Sequence, residues 1–256
     1  MANLMYINMF PGFLWILVRI LAFLATLPIF SYRNIPNTFK IGLGFFLAWI
    51  TFYTIEIPEL AFDEQYILLI GKEALVGLLI GLFAYIIMAA IQVAGGFIDF
   101  QMGFAIANVI DPQTGAQSPI TGQYLYIIAI LFLLLIDGHH LLIHGLLYSF
   151  DIISLEQFIS IENPELILVG FAQMFLIAFQ LAIPIVGSLF LVDVALGLIA
   201  RTVPQLNVFV VGLPLKIFVA FVMLLLFIPF YTMIVRKLFQ YILEMMKALI
   251  HLLGGA

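Results

Sequence analysis

Ionisable residues interrupt long apolar runs of this sequence, and they are the residues whose types could do chemistry. They are Arg19, Lys72, Glu73, Asp137, His139, His140, His144, Asp193 and Lys216. A charge at the centre of a membrane-spanning helix costs about 2.5–3.5 kcal/mol on insertion scales. We therefore expect these residues to face a bundle interior, a water-filled path or a partner chain. The strongest candidates for buried polar positions are Arg19, Asp137, Asp193 and Lys216, and Asp193 should lie against a partner helix or a positive group.

The histidines raise the question of a metal site. His140 and His144 are four residues apart, which can place two ligands on one helix face. Because the chain has no cysteine and no third ligand stands in register, we predict no metal site and instead a hydrogen-bonded histidine cluster at an interface. The sequence shows no pattern typical of a Ser-His-Asp set, of a pair of carboxylates in a pocket, or of a glycine-rich phosphate-binding loop. We predict a protein that is not an enzyme, with no catalytic residue and no cofactor.

The composition places these residues in an apolar environment. The 256 residues are 65% hydrophobic and 9% charged, with a mean hydropathy of +1.25, whereas soluble domains carry roughly a quarter charged residues. The chain cannot cover a water-facing surface, so it belongs in a bilayer or in a mostly apolar assembly. Its net charge of −5 argues against a nucleic-acid partner, which requires a basic footprint.

Six apolar segments are long enough to be helices that approach or reach spanning length, which is about 20 residues. They cover residues 10–30, 41–58, 67–98, 124–150, 166–200 and 208–235, followed by a short tail at 236–256. These runs are too long and continuous for barrel strands. We predict an all-α, polytopic membrane protein of about six long, kinked helices in hairpins. The sequence DGHH at 137–140 interrupts the fourth helix, and Gly95 and Gly96 are predicted to end the third.

The distribution of Lys and Arg indicates an orientation. Arg33 and Lys40 place the loop 31–40 inside, and Arg201 places the turn 201–207 inside. The loops 56–66 and 149–165 lack both residue types, which suits the outside. These four loops agree on an external N-terminus with six spans, whereas the basic tail would then lie outside, against the rule.

A polar stretch, VIDPQTGAQSPITGQYL at 109–125, separates two apolar helices. Its prolines and glycines prevent a continuous helix, and a loop that lines a wet pore can leave its backbone groups to water. Apolar side chains just before it, Met102, Phe104 and Ile106, could seal a constriction. An ordinary re-entrant or extramembrane loop is the alternative. From the residues alone, the chain is either a secondary transporter or a subunit of a larger conduit, and its dissimilar halves favour the subunit.

Three stretches resemble a known family. FIDFQMGFAIANVIDP (97–112), DGHH (137–140) and PIVGSLFLVDVALGLIARTVPQLNVFVVGLPLK (184–216) are similar to the FliR family of the bacterial flagellar export gate, and the resemblance covers the whole chain. The matching subunit of virulence type III secretion systems is the close alternative, and a small-solute transporter is a more distant one.

The resemblance implies a fold, partners and site residues. Residues 1–150 would be FliP-like, with a plug loop at 99–123, and residues 166–235 a FliQ-like hairpin. With FliP and FliQ homologues the chain would form a channel for unfolded flagellar proteins in the cytoplasmic (inner) membrane, at the basal body, next to FlhB and FlhA homologues and lipid. The plug would contain Met102, Gly103, Phe104, Ile106, Asp111, Pro112, Gly115 and Pro119. The turn that faces the cytoplasm and contacts a partner would contain Arg201, Pro204, Gln205 and Asn207.

Overall fold

The computed structural model describes residues 2–31, 35–55, 64–104, 119–155, 165–203, 205 and 207–255. Within these residues the chain forms seven α-helices and no strand, which confirms the all-α prediction. The helices are α1 Ala2–Thr26, α2 Asn37–Phe52, α3 Glu64–Met102, α4 Ile120–Leu135, α5 Gly138–Ile152, α6 Glu165–Thr202 and α7 Val208–Gly254.

The predicted fourth helix is two helices. α4 ends at Leu135 and α5 begins at Gly138, so the apolar run is broken between them. The break falls at DGHH, as predicted. Asp137 has a φ of 55°. A residue in this left-handed conformation cannot be part of a right-handed α-helix, so the helix is interrupted here.

Two predicted helix ends are corrected by the structure. α3 runs through Gly95 and Gly96 to Met102. Gly95 does not end the helix; it stands where another helix comes too close for any side chain. The segment 236–256 was predicted to be a short tail, but it continues α7 as far as Gly254. There the apolar residues recur at helical spacing and are buried: Leu238, Ile242, Met245, Met246, Leu249, Ile250 and Leu253. This periodicity buries one face of the helix and extends it.

Three of the described helices are long and apolar enough to cross a membrane by length and composition: α3 from Tyr66, α6 and α7. The bent pair α4–α5 makes a fourth if it is counted as one span. α2 has 16 residues, and the described apolar part of α1, Phe10–Thr26, is also short. The chain is thus a polytopic membrane protein. The external N-terminus predicted above assumed six spans, whereas three or four of the described helices meet the length and composition of a span.

The chain divides into two compact units. The first contains Met1–Ile87, Ile136–Phe171 and Gln240–Ala256, and the second contains Met88–Leu135 and Ala172–Phe239. In the first unit α1 packs against α2 through edge-to-face contacts of Phe13 with Phe45 and Phe52.

The sequence motif Gly77-x-x-x-Gly81 packs α3 against α1 in the first unit. A Cβ at Gly77 would lie 2.2 Å from the main-chain oxygen of Arg19, and one at Gly81 would lie 2.1 Å from Thr26 Oγ1. Only glycine permits this separation of the two backbones. The close packing predicted for this motif is confirmed.

Candidate functional site

The second unit contains the residues on both sides of the predicted plug loop. We call Asp99, Gln101 and Gly103 at the end of α3, with Thr121 and Gly122 at the start of α4, the loop base. Segment 105–118, which joins these two helix ends, lies outside the described residues.

α3 ends in a glycine C-cap. Gly103 has a φ of +91°, its N–H donates to Phe100 O at 3.1 Å, and the N–H of Phe104 donates to Asp99 O at 2.9 Å. These two bonds form a Schellman motif, which satisfies the last carbonyls of a helix and favours glycine in the left-handed position. The sequence therefore stops α3 at a defined residue immediately before the loop.

α4 begins under a cap supplied by α3. The carboxylate of Asp99 accepts hydrogen bonds from the Thr121 N–H, at 3.2 and 3.3 Å to its two oxygens, and from the Thr121 hydroxyl. Both residues are buried. A carboxylate at a helix N-terminus satisfies an otherwise unpaired N–H and interacts favourably with the helix dipole. Asp99 thereby fixes the distance between the two ends of the loop.

The backbones of α3 and α4 touch next to this cap. A Cβ at Gly95 would lie 2.1 Å from Gly122 Cα, and a Cβ at Gly122 would lie 3.0 Å from Gln92 O. A side chain at either position would separate the helices. A Cβ at the neighbouring Gly96 would make only an ordinary van der Waals contact, at 3.9 Å from the Pro119 side chain.

A polar cluster ties the end of α3 to α6 and α7. The amide of Gln101 donates to Asp193 Oδ2 at 2.8 Å, and Lys216 Nζ lies 2.8 Å from Asp193 Oδ1. The side chain of Asp193 is 40% exposed and that of Lys216 is 19% exposed. Lys216 is therefore the positive group predicted for Asp193, and it belongs to the same chain, but both side chains are partly exposed and not buried as predicted. Pairing lowers the cost of two charges that stand within apolar helices.

An apolar cavity opens beside the loop base. It has a volume of about 330 Å³, and its lining includes Phe104, Ile120, Tyr124, Phe221 and Leu225. Phe104 and Ile120 are close to the two ends of the undescribed loop. The surroundings of the loop ends are thus mainly aliphatic and aromatic.

The structure places the predicted plug residues unequally. Met102 is buried with 1% of its surface exposed, and Gly103, Phe104 and Pro119 are partly exposed. Ile106, Asp111, Pro112 and Gly115 lie outside the described residues.

The described residues of the predicted cytoplasmic turn, Arg201, Gln205 and Asn207, are all exposed, and Pro204 is not described. Asn207 also has a local task, because its Oδ1 accepts hydrogen bonds from the N–H groups of Phe209 at 3.2 Å and Val210 at 3.4 Å. It is the N-cap of α7. Sequence reasoning assigned it to partner contact and did not identify this role, although Asn before an apolar run is a helix-start signal.

The first unit contains a fully buried charge cluster. Arg19 and Glu73 have no exposed surface and Lys72 has 4%. Arg19 Nε donates to Glu73 Oε2, and Lys72 Nζ lies 2.5 Å from Glu73 Oε1. The buried position predicted for Arg19 is thus a salt-bridged one. Its partners come from α3, which is distant in the sequence.

The remaining donors of this cluster bind the C-terminal end of α5. Arg19 donates to Ser149 O at 2.9 Å and to Ile153 O at 3.3 Å, and its guanidinium lies 4.2 Å from the Phe150 ring centroid. Lys72 donates to Ser154 O at 2.7 Å. The last carbonyls of a helix carry partial negative charge. The excess positive charge of Arg19 and Lys72 over Glu73 is therefore placed where it is stabilised.

Asp137 is exposed, in contrast to the buried position predicted for it. Its side chain is 78% accessible and that of His140 is 72% accessible, with Asp137 Oδ1 3.7 Å from His140 Nδ1. The left-handed turn at the helix break directs both side chains outward. Within the histidine cluster predicted for this segment, His139 and His140 lie against each other, with ring centroids 4.1 Å apart and the ring planes tilted by 36°.

Comparison with known proteins supplies the family. The sequence model of "Bacterial export proteins, family 1" matches residues 10–242. The chain is 54% identical to the flagellar biosynthetic protein FliR of Bacillus subtilis (strain 168) over 253 residues, covering 97% of this chain and 98% of that protein. It is 32% identical to FliR of Pectobacterium carotovorum subsp. carotovorum over 252 residues, covering 98% and 97% of the two chains.

A relative from a virulence system also matches. The Yop proteins translocation protein T of Yersinia pestis is 34% identical over 163 residues, which cover 62% of each chain. The family match spans most of the chain and includes all the residues of the loop base and of the buried charge cluster. The chain therefore belongs to the FliR family of bacterial export proteins.

Proposed function

We propose that this chain is a subunit of the flagellar type III protein export gate. Together with FliP and FliQ homologues it forms a channel in the cytoplasmic membrane, at the flagellar basal body, through which unfolded flagellar proteins pass. FlhB and FlhA homologues are its neighbours in this assembly, and the turn at 201–207 faces the cytoplasm and contacts one of them. The segment from Met102 to Pro119 is the plug that closes the channel at rest.

The observation that carries the plug assignment is the loop base. Hydrogen bonds between Asp99 and Thr121 hold the end of α3 beside the start of α4, so a tight turn would be sufficient to connect them. The connection from Gly103 to Pro119 is longer than the roughly 2–8 residues that usually join packed helices, and long loops in compact proteins are usually functional. Fixed ends and a long connection are what a plug requires.

The exposed apolar surface of α6 and α7 supports a multi-subunit assembly. In the most apolar stretch of α3, 56% of the residues are buried within the chain, compared with 28% for α6 and 17% for α7. Large side chains such as Leu191, Phe209, Phe218 and Leu226 are more than half exposed. A continuous exposed apolar surface of this kind marks a contact with membrane or with another protein. A FliQ-like role for this hairpin would cover part of that surface with partner helices.

The flagellar assignment rests on the relatives. The FliR proteins match almost the full chain, at 54% and 32% identity, whereas the virulence protein matches 62% of it. We therefore place the chain in a flagellar rather than a virulence system. Complementation of a strain that lacks FliR tests this, and restored swimming is the expected result. Restored virulence secretion without motility would reverse the assignment.

The plug is tested by shortening it. Deletion of Gln113 to Ser118 leaves the loop base unchanged, so the assembly should still form, but it should conduct small ions at rest. The measurement is the conductance of purified gate complexes in a planar bilayer. A deletion of equal length in another undescribed connection, residues 157–162, is the matched control and should leave the gate closed. A plug deletion as tight as the wild type would show that another part of the gate forms the seal.

The partner assignment has a separate test. Co-expression with FliP and FliQ homologues should give a stable particle, whereas the chain alone should aggregate or be degraded, because the apolar faces of α6 and α7 then lack partners. A monodisperse chain that transports a small solute into liposomes would support the transporter alternative instead.

A further inference from the structure

The break between α4 and α5 brings three metal-binding side chains together. One oxygen of Asp137 and one ring nitrogen each of His139 and His140 lie within 4.8 Å of one another. Two ligands bound to zinc at about 2.0–2.2 Å can be no more than about 4.4 Å apart. Small side-chain rotations therefore bring all three atoms onto one ion.

Two of these three side chains have a polar group that makes no stabilising hydrogen bond within the described residues. Asp137 is the N-cap residue of α5, but its carboxylate makes no capping hydrogen bond, although this is the usual task of an aspartate at that position. Nδ1 of His139 is buried and has no hydrogen-bond partner among the described residues. Buried polar atoms are rarely left without a partner, and an ion is one explanation for such an atom.

The backbone at the break holds the ligands in place at a cost. Asp137 is the one non-glycine residue with a positive φ in the described part of the chain. Such a conformation is unfavourable for most residues and persists where the surrounding structure or a ligand requires it. Because His139 and His140 follow in the first turn of α5, the left-handed residue places its carboxylate beside their rings, 3.7 Å from His140 Nδ1.

We propose that Asp137, His139 and His140 form a binding site for a divalent transition-metal ion of the zinc type. Two imidazoles and one carboxylate are ligands that suit Zn²⁺, and three protein ligands leave a position open for water or for a ligand from a neighbouring chain. The exposed side chains of Asp137 and His140 give the ion access. A helix N-terminus carries partial positive charge, which disfavours a cation, and the carboxylate of Asp137 supplies the negative charge that offsets it.

The test measures Zn²⁺ affinity with a competing chromophoric chelator, using the full chain without a histidine tag, co-purified with its FliP and FliQ homologues. One equivalent of Zn²⁺ should bind. His139→Gln and His140→Gln should each weaken binding at least about tenfold, the scale of losing a supporting group at a metal site. His144→Gln is the matched control, because His144 is outside the trio, and its affinity should stay at the wild-type value.

A second measurement needs no purified protein. In membranes that contain the full chain, Zn²⁺ should protect His139 and His140 from diethyl pyrocarbonate, as read by mass spectrometry, and leave His144 and His251 reactive. Asp137→Asn removes the charge while tolerating the left-handed backbone, so it should abolish protection without unfolding α5. Equal weakening by His144→Gln, or no saturable binding and no protection, would overturn the proposal.

Discussion

Removal of the single negative charge from the buried cluster should destabilise the first unit strongly. Glu73→Gln keeps the size and shape of the side chain but leaves Arg19 and Lys72 as two buried cations without an anion. Both partners contact Glu73 directly, and none of the three is appreciably exposed. Breaking one partner out of a buried ion pair costs about 3–5 kcal/mol. We expect the lower end, about 3 kcal/mol, because Arg19 and Lys72 keep their main-chain carbonyl acceptors on and after α5.

This cost converts into a measurable shift in melting temperature. A change of 1 kcal/mol moves the Tm of a protein of about 150–250 residues by roughly 2–4 °C, so Glu73→Gln should lower it by about 6–12 °C. The assay is thermal unfolding of the complex with FliP and FliQ homologues in detergent, followed by intrinsic fluorescence. The matched control is Glu244→Gln in the same unit, where the side chain is exposed and the change should be within about 0.5 kcal/mol.

A double variant separates charge from packing. Lys72→Met in the Glu73→Gln background removes one of the two unneutralised cations and should recover part of the lost stability. If Glu73→Gln melts at the same temperature as Glu244→Gln, the buried cluster does not hold the first unit together and the electrostatic reasoning fails.

Three further outcomes are expected. Gly95→Ala should separate α3 from α4 and lower stability by about 1–3 kcal/mol, whereas Gly96→Ala should be neutral or slightly stabilising in the same unfolding assay; equal effects would contradict the close approach. Asp193→Leu should leave Lys216 unpaired and reduce swimming and complex yield, and wild-type motility would show that water alone supports both side chains. Gln205→Cys should resist an impermeant thiol reagent in intact cells and react after lysis, and labelling from outside would invert the topology.

Local signals in the sequence predicted much of the fold. The helix break at DGHH and the close packing at Gly77 and Gly81 follow from residue types within a few positions of each other. The C-terminal helix and the passage of α3 through Gly95 do not, because the decisive contacts come from other helices. From the local sequence, Gly95 indicates the end of a helix. Its real reason is the backbone of Gly122, which leaves no room for a side chain at position 95.

The candidate site was predictable in location but not in its contacts. The polar stretch after α3 marked the region, and Asp193 was expected to meet a positive group. Its partners Gln101 and Lys216 are remote in sequence, as Glu73 is from Arg19, so spacing could not identify them. For the histidines, the helical spacing drew attention to His140 and His144, and no third ligand stood in register with them. The left-handed residue Asp137 changed the geometry and brought His139 into the group instead.

The cap that Asp99 places on α4 has a consequence for how this region opens and closes. An ordinary N-cap belongs to its own helix and forms as soon as that helix does, but this one exists only while α3 is docked. The last turn of α3 and the first turn of α4 should therefore fray as one cooperative event. Amide hydrogens of Thr121 and Gln123 should exchange with the same opening free energy as those of Gly103 and Phe104, because a single local unfolding step exposes all four.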